Sequence, residues 1–137
     1  MKKLIIFIVV IIVLFGAFWW GSRQESRDGV IIIEFPQDGD KISSPLIVTG
    51  EAVGTWFFEG DFPVIVTDWD GMIIGEGYAT AKGDWMTEDF VKFAGTIEFT
   101  RGERSMVRDN GAVIFQKDNP SGLPEHDDAR EIPIYFK

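Results

Sequence analysis

From Val30 onward the sequence falls into short runs of β-branched and aromatic residues, each closed by turn-forming residues, and none keeps a 3.6-residue apolar period. That pattern leaves an all-β fold. Seven runs have strand length: Val30–Phe35, Pro45–Val53, Phe62–Trp69, Met72–Ala81, Phe93–Thr100, Ala112–Lys117 and Arg130–Phe136. Pro36-Gln37-Asp38-Gly39-Asp40 closes the first, and Asp70-Gly71 supplies a tight hairpin turn after the third. Gly75 and Gly77, inside the fourth, point to a bulge or a close backbone approach. Trp85–Phe90 has room for one helical turn. Strands at this spacing predict a seven-stranded antiparallel β-sandwich over residues 30–137. Ile31, Ile33, Ile47, Val64, Val66, Ile97, Phe99, Val113, Phe115, Ile132 and Ile134 sit mostly at period-two positions and are the expected inward residues.

Ahead of these strands, Lys2 and Lys3 precede seventeen uncharged residues, Leu4 to Trp20. As a helix this run spans roughly 25 Å at 1.5 Å per residue, against ~30 Å of hydrocarbon. Trp19 and Trp20 suit one interface, and the lysines reach the other by extending their side chains. A cleaved signal peptide would need small residues before the cut. A cut after Ala17 puts Phe15 three residues before it, and a cut after Gly21 puts Trp19 there. The sequence therefore predicts a transmembrane anchor over residues 1–20 and a polar linker over 21–29. The N-terminus is expected in the cytoplasm and the domain over 30–137 outside.

Charge narrows the partners. The chain has 13 Lys+Arg and 22 Asp+Glu, a formal charge of -9. Residues 28–137 alone hold nine basic and 21 acidic side chains, a net of -12. Nucleic acid is a poor partner for such a surface, since its affinity comes largely from Lys and Arg neutralising phosphates. Anionic lipid is disfavoured for the same reason. With no cysteine, the chain has no disulfide, thiol nucleophile, zinc-thiolate site or lipidated N-terminal Cys.

Three segments carry most of the remaining information: Gly54-Thr55-Trp56-Phe57-Phe58-Glu59-Gly60-Asp61-Phe62-Pro63-Val64, Gly83-Asp84-Trp85-Met86-Thr87-Glu88-Asp89-Phe90, and Lys117-Asp118-Asn119-Pro120-Ser121-Gly122. With Pro36 before them and Ile132-Pro133-Ile134-Tyr135-Phe136 after, their order resembles the immunoglobulin-like domain associated with bacterial spore germination proteins (the Gmad type). The resemblance covers about residues 30–137. It implies an immunoglobulin-like β-sandwich attached to the cell envelope, with a role in binding or assembling envelope components.

Signs of catalysis are sparse. There is no Gly-x-Ser-x-Gly elbow, Walker loop or His-Glu-x-x-His helix. His126 is the one histidine, in the loop Pro124-Glu125-His126-Asp127-Asp128, which reads as a solvated acidic loop. Asp68-x-Asp70-Gly71 opens like a calcium loop but lacks its later acidic positions, and a hairpin turn accounts for it. Glu59 and Asp61 are the kind of carboxylate pair that an acidic domain produces by chance. A non-catalytic protein with no cofactor and no metal is expected.

The candidate site is therefore Trp56, Phe57, Phe58, Glu59, Trp85, Met86, Asp89, Asn119 and Ser121. Two readings stay open. The aromatics plug one end of the sandwich while Asn119 and Ser121 tie loops to backbone groups. Or they form a binding patch, with rings stacking on sugar faces and Glu59 or Asp89 accepting hydrogen bonds. If each strand crosses the sandwich, the loops after the second, fourth and sixth strands share one pole. The chain enters the first strand at that pole as well, which places the motifs near the membrane. The expected function is a membrane-anchored binding or scaffolding module of the bacterial cell envelope, whose partner is peptidoglycan or another envelope protein. The alternative is a structural spacer, or an accessory subunit of a larger membrane complex assembled through the transmembrane helix.

Overall fold

The computed structural model describes residues 26, 27 and 29–137. The apolar run 4–20 lies outside them; among the described residues no helix is long and apolar enough to cross a membrane. Nine strands form the domain: β1 (Ser26–Arg27), β2 (Ile31–Phe35), β3 (Lys41–Ile42), β4 (Leu46–Val53), β5 (Asp61–Thr67), β6 (Ile73–Ala81), β7 (Phe90–Ile97), β8 (Asn110–Gln116) and β9 (Ala129–Phe136). They join in one sheet of order β1-β2-β4-β7-β6-β5-β8-β9-β3.

The seven expected runs are all strands. Two very short ones are added, and one pair departs from the antiparallel rule: β3 lies parallel to β9, Lys41 beside Tyr135 and Ile42 beside Phe136. Two-residue strands carry no periodicity, so only the tertiary pairing reveals them. β7 begins at Phe90, three residues early, because Phe90 pairs with Val53 at the end of β4. The helical turn allowed at Trp85–Phe90 does not form. Asp84 and Thr87 side chains instead accept from the backbone N–H groups of Met86 and Asp89, and hold the segment as bends.

β6 is what makes the sheet continuous. It pairs along β5 from Ile73 to Thr80, then with β7 over Ala79–Ala81. The sheet therefore curls, and the inner face of β2, β4 and β7 meets that of β5, β8 and β9. Gly75 is needed at the crossover, since a Cβ there would collide with the carbonyl oxygen of Glu98 and with Phe99, its bridge partner. Between the layers Phe62 and Phe93 stack edge to face at 4.9 Å, and Phe93 reaches Phe115 at 6.1 Å. Ile31, Ile33, Val48, Val64, Val66, Ile97, Val113 and Ile134 close the core around them. Each such side chain contributes about 1.5–3 kcal/mol by leaving water. Ile47 does not join them. It is 59% exposed, and its neighbours Leu46 and Val48 point inward instead. Phe99 is only partly buried, packed on Phe136 at 5.5 Å.

The two poles differ. One carries the three motif loops. The other carries the Asp68–Met72 turn and the Thr100–Asp109 loop. There the Asp68 carboxylate accepts from the N–H groups of Asp70 and Met72. Arg104 pairs with Asp70, and Arg101 reaches the carbonyls of Ser105 and Arg108 at 2.8 Å while lying 4.4 Å from the centre of the Phe136 ring. The chain enters β2 at the motif pole, where Val53 N–H donates to the Val30 carbonyl. β1, however, runs antiparallel to β2, with Arg27 opposite Ile32 and Ser26 opposite Ile33. From Arg27 back to Ser26, within the stretch read as linker, the chain thus runs toward the opposite pole. The expectation that the motifs lie against the membrane does not follow from this path.

Candidate functional site

The first motif loop leaves β4 as a short 3₁₀ turn, Gly54–Trp56, and returns through a two-residue hairpin between Phe58 and Asp61. The central residues Glu59 and Gly60 have φ of 51° and 85°, the positive pair that such hairpins require. Glycine meets that demand freely, whereas Glu59 holds it against the steric cost of its own Cβ.

The loop sorts its aromatics by depth. Trp56 is 1% exposed, edge-on to Phe62 at 6.2 Å, with the Arg130 guanidinium 5.6 Å from its ring centre. Its indole Nε1 has no hydrogen-bond partner among the described residues. Phe57 is also buried, 5.3 Å from Phe62. Phe58 turns outward and is 44% exposed.

The second motif loop rests on the first. Gly54 N–H donates to the Asp89 carbonyl at 3.3 Å, and Ala81 N–H donates to the Gly60 carbonyl at 2.8 Å. The Trp85 indole lies over Gly60, whose Cβ, if it had one, would stand 3.4 Å from Nε1. Trp85 is half-buried against the core edge, while Met86 is 76% exposed. Between the loops lies a groove of about 370 Å³, lined by Gly54, Thr55, Phe57, Trp85, Met86, Thr87 and Glu88. A second concavity, of about 450 Å³, shares Thr87 and is lined by Asp84, Asp89, the exposed ring of Phe90, Lys82 and Lys92. A hollow of about 410 Å³ on the outer face of β5 and β6, between Pro63, Glu76, Tyr78 and Gln116, lies apart from the motifs.

The third motif loop reaches the others by one backbone bond, from Asp118 N–H to the Trp56 carbonyl at 3.1 Å. Beyond it the chain closes on itself. Gly122 N–H donates to the Asn119 carbonyl, with Pro120 inside the turn and Gly122 at φ 67°. Asn119 Nδ2 donates to the Leu123 carbonyl and to Asp127, and Ser121 Oγ donates to Asn119 Oδ1 while accepting from Leu123 N–H. Asn119 and Ser121 are spent within their own loop.

The site residues thus divide. Trp56 and Phe57 form a plug, Phe58, Glu59, Met86 and Asp89 are exposed, and Trp85 stands between. Thr55, Thr87 and Glu88 line the groove without having been singled out from the sequence. Small and acidic residues in loops carry no pattern that would mark them.

Comparison with known families adds one match. The family model described as Gmad2, the immunoglobulin-like domain of bacterial spore germination, matches residues 30–119. No curated protein and no solved structure was found to match the chain.

Proposed function

Because the chain belongs to the family of immunoglobulin-like domains of bacterial spore germination, we propose that it is a non-catalytic binding or scaffolding module of the bacterial cell envelope. Residues 4–20 hold it in the membrane as a single helix, and the acidic domain stands outside. Its partner is peptidoglycan or a neighbouring envelope protein.

The observation that carries this reading is the division of the motif pole. Trp56 and Phe57 already seal the core, so Met86 and the outer part of Trp85 are surplus to sealing it, yet they line one groove, and Phe58 is exposed on the neighbouring hairpin. Clustered apolar groups left at the surface mark contact sites. The direction of β1 supports an outward-facing pole. Ser26 lies opposite Ile33, further toward the Asp70–Arg104 side than Arg27, and five residues separate it from Trp20, at most roughly 18 Å of extended chain. The motif pole would then face away from the bilayer.

The test is retention of the full chain, in detergent, on purified peptidoglycan, set beside crosslinking in cells. Retention on the wall polymer assigns glycan binding, and one specific protein crosslink assigns a protein partner. Failure of both leaves the structural spacer.

A further inference from the structure

The three motif loops, residues 54–61, 82–89 and 117–128, hold nine carboxylates and two lysines, a net of −7 of the −12 carried by residues 28–137. The connections at the other pole, residues 36–45, 68–72 and 98–109, hold seven carboxylates and four basic groups, a net of −3. The charge is therefore polarised toward the end that also exposes the apolar groove. Glu88 lines that groove, and Glu59 sits beside the Gly60–Trp85 contact. The adjoining concavity brings Asp84 and Asp89 next to the exposed Phe90 ring.

We propose that this groove docks a basic, apolar-containing segment of a partner protein, which rests on the binding reading above and narrows it to one class of partner. An apolar side chain of the segment lies on Phe57, Trp85 and Met86, and its lysines or arginines face Glu59, Glu88 and the Asp84–Asp89 pair. Charge complementarity selects this occupant. A pole of −7 repels anionic wall polymers and acidic peptides, and it raises the local concentration and the association rate of cations. The half-buried Trp85 ring adds an aromatic face on which a cation can sit. A second copy of the chain is a poor occupant, because it would bring a second −7 pole against the first. Lys82 and Lys92 line the neighbouring concavity as well and limit the cationic footprint there.

The experiment uses the full chain in neutral detergent micelles and a fluorescent synthetic heptapeptide alternating Lys with Phe and Leu. A twin with Glu in place of Lys and a soluble muropeptide are the comparison probes. The Lys peptide is expected to bind, and to weaken on the order of tenfold as salt rises from low to physiological strength, while the Glu twin does not bind. The double variant Met86→Ser, Glu88→Gln should lose roughly tenfold in affinity. Glu34→Gln with Glu76→Gln removes more charge, from exposed strand positions away from the groove, and should leave binding unchanged. Equal loss in both double variants would mean unspecific attraction and overturn the proposal. Binding of the muropeptide but not the Lys peptide would overturn it while sustaining the envelope-binding reading. Failure of every probe, with peptidoglycan retention and cellular crosslinking also negative, removes both. Self-association abolished by Met86→Ser would assign the groove to a second copy and overturn the proposal as well.

Discussion

The carbonyl oxygen of Thr87 occupies the space where Gly54 would otherwise carry a Cβ, and the Trp85 carbonyl crowds the same point. The second motif loop can lie on the first only because position 54 has no side chain. Gly54→Ala should therefore push the two loops apart, at a cost of about 1–3 kcal/mol. Urea unfolding of the full chain measures that cost, and probe binding should fall with it. Unchanged stability would mean that the loops have room to part freely.

Depth separates the two tryptophans. Trp56→Ala removes a side chain buried among Phe62 and Arg130 and should cost about 3–5 kcal/mol. Trp85→Ala removes a half-buried ring and should cost roughly 1–2 kcal/mol while abolishing partner capture. Trp56→Phe should be milder than Trp56→Ala, because it fills most of the volume and deletes an indole N–H that lacks a partner among the described residues. Paired denaturation curves decide. Equal losses at 56 and 85 would make Trp85 a second plug.

Glu59 sits at φ 51°, where glycine would be at ease. Glu59→Gly relieves that strain but loosens the unfolded chain. The two effects leave stability unchanged or raised by up to ~1 kcal/mol. Capture of a basic partner should weaken in the same variant. A thermal melt and a binding titration on one preparation test the pair of outcomes. Clear destabilisation would show that the carboxylate supports the fold.

At the other pole, Arg101 gathers the Thr100–Asp109 loop by donating to the Ser105 and Arg108 carbonyls and by packing on Phe136. Both of these bonds leave Nη2, while Nε and Nη1 reach Ser105 Oγ and Asp109, and the single nitrogen of a lysine cannot make all of these contacts. Arg101→Lys should cost about 1–3 kcal/mol and expose the loop to proteolysis. Limited digestion with mass spectrometry reads the cleavage site. An intact loop in the variant would assign its order to the Trp69–Arg104 hydrogen bond instead.

Most strands were legible because they repeat an apolar residue on every second position across a half-buried sheet, with β6 marked instead by its glycines and its turn. Where that alternation breaks, reading the sequence fails in a physical way. Leu46-Ile47-Val48 is continuously apolar, so nothing local says that Ile47 is the one facing water. β1 and β3 owe their existence to partners distant in the chain. The motif pole was legible as a cluster, since alternating crossings send the three loops to one end. The division of labour within it was not. Trp56 and Trp85 look alike in sequence, and only the packing of one loop over Gly54 and Gly60 buries the first and leaves the second at the rim. Asn119 and Ser121 belong to a closed turn, because their hydrogen-bonding capacity is consumed within a few residues.

The parallel pairing of β3 with β9 has a consequence for the order in which the domain is made. β9 lies between β8 and β3, and Gly39, Tyr135 and Lys137 donate backbone hydrogen bonds that lace residues near 40 to residues near 135. Contacts separated by almost a hundred residues must form before this edge is covered, a slow closure for a chain emerging from the ribosome. Until residues 129–136 arrive, the outer edge of β8 stands unpaired. The nascent chain stays open over most of its length, and the native state locks only when β9 is seated.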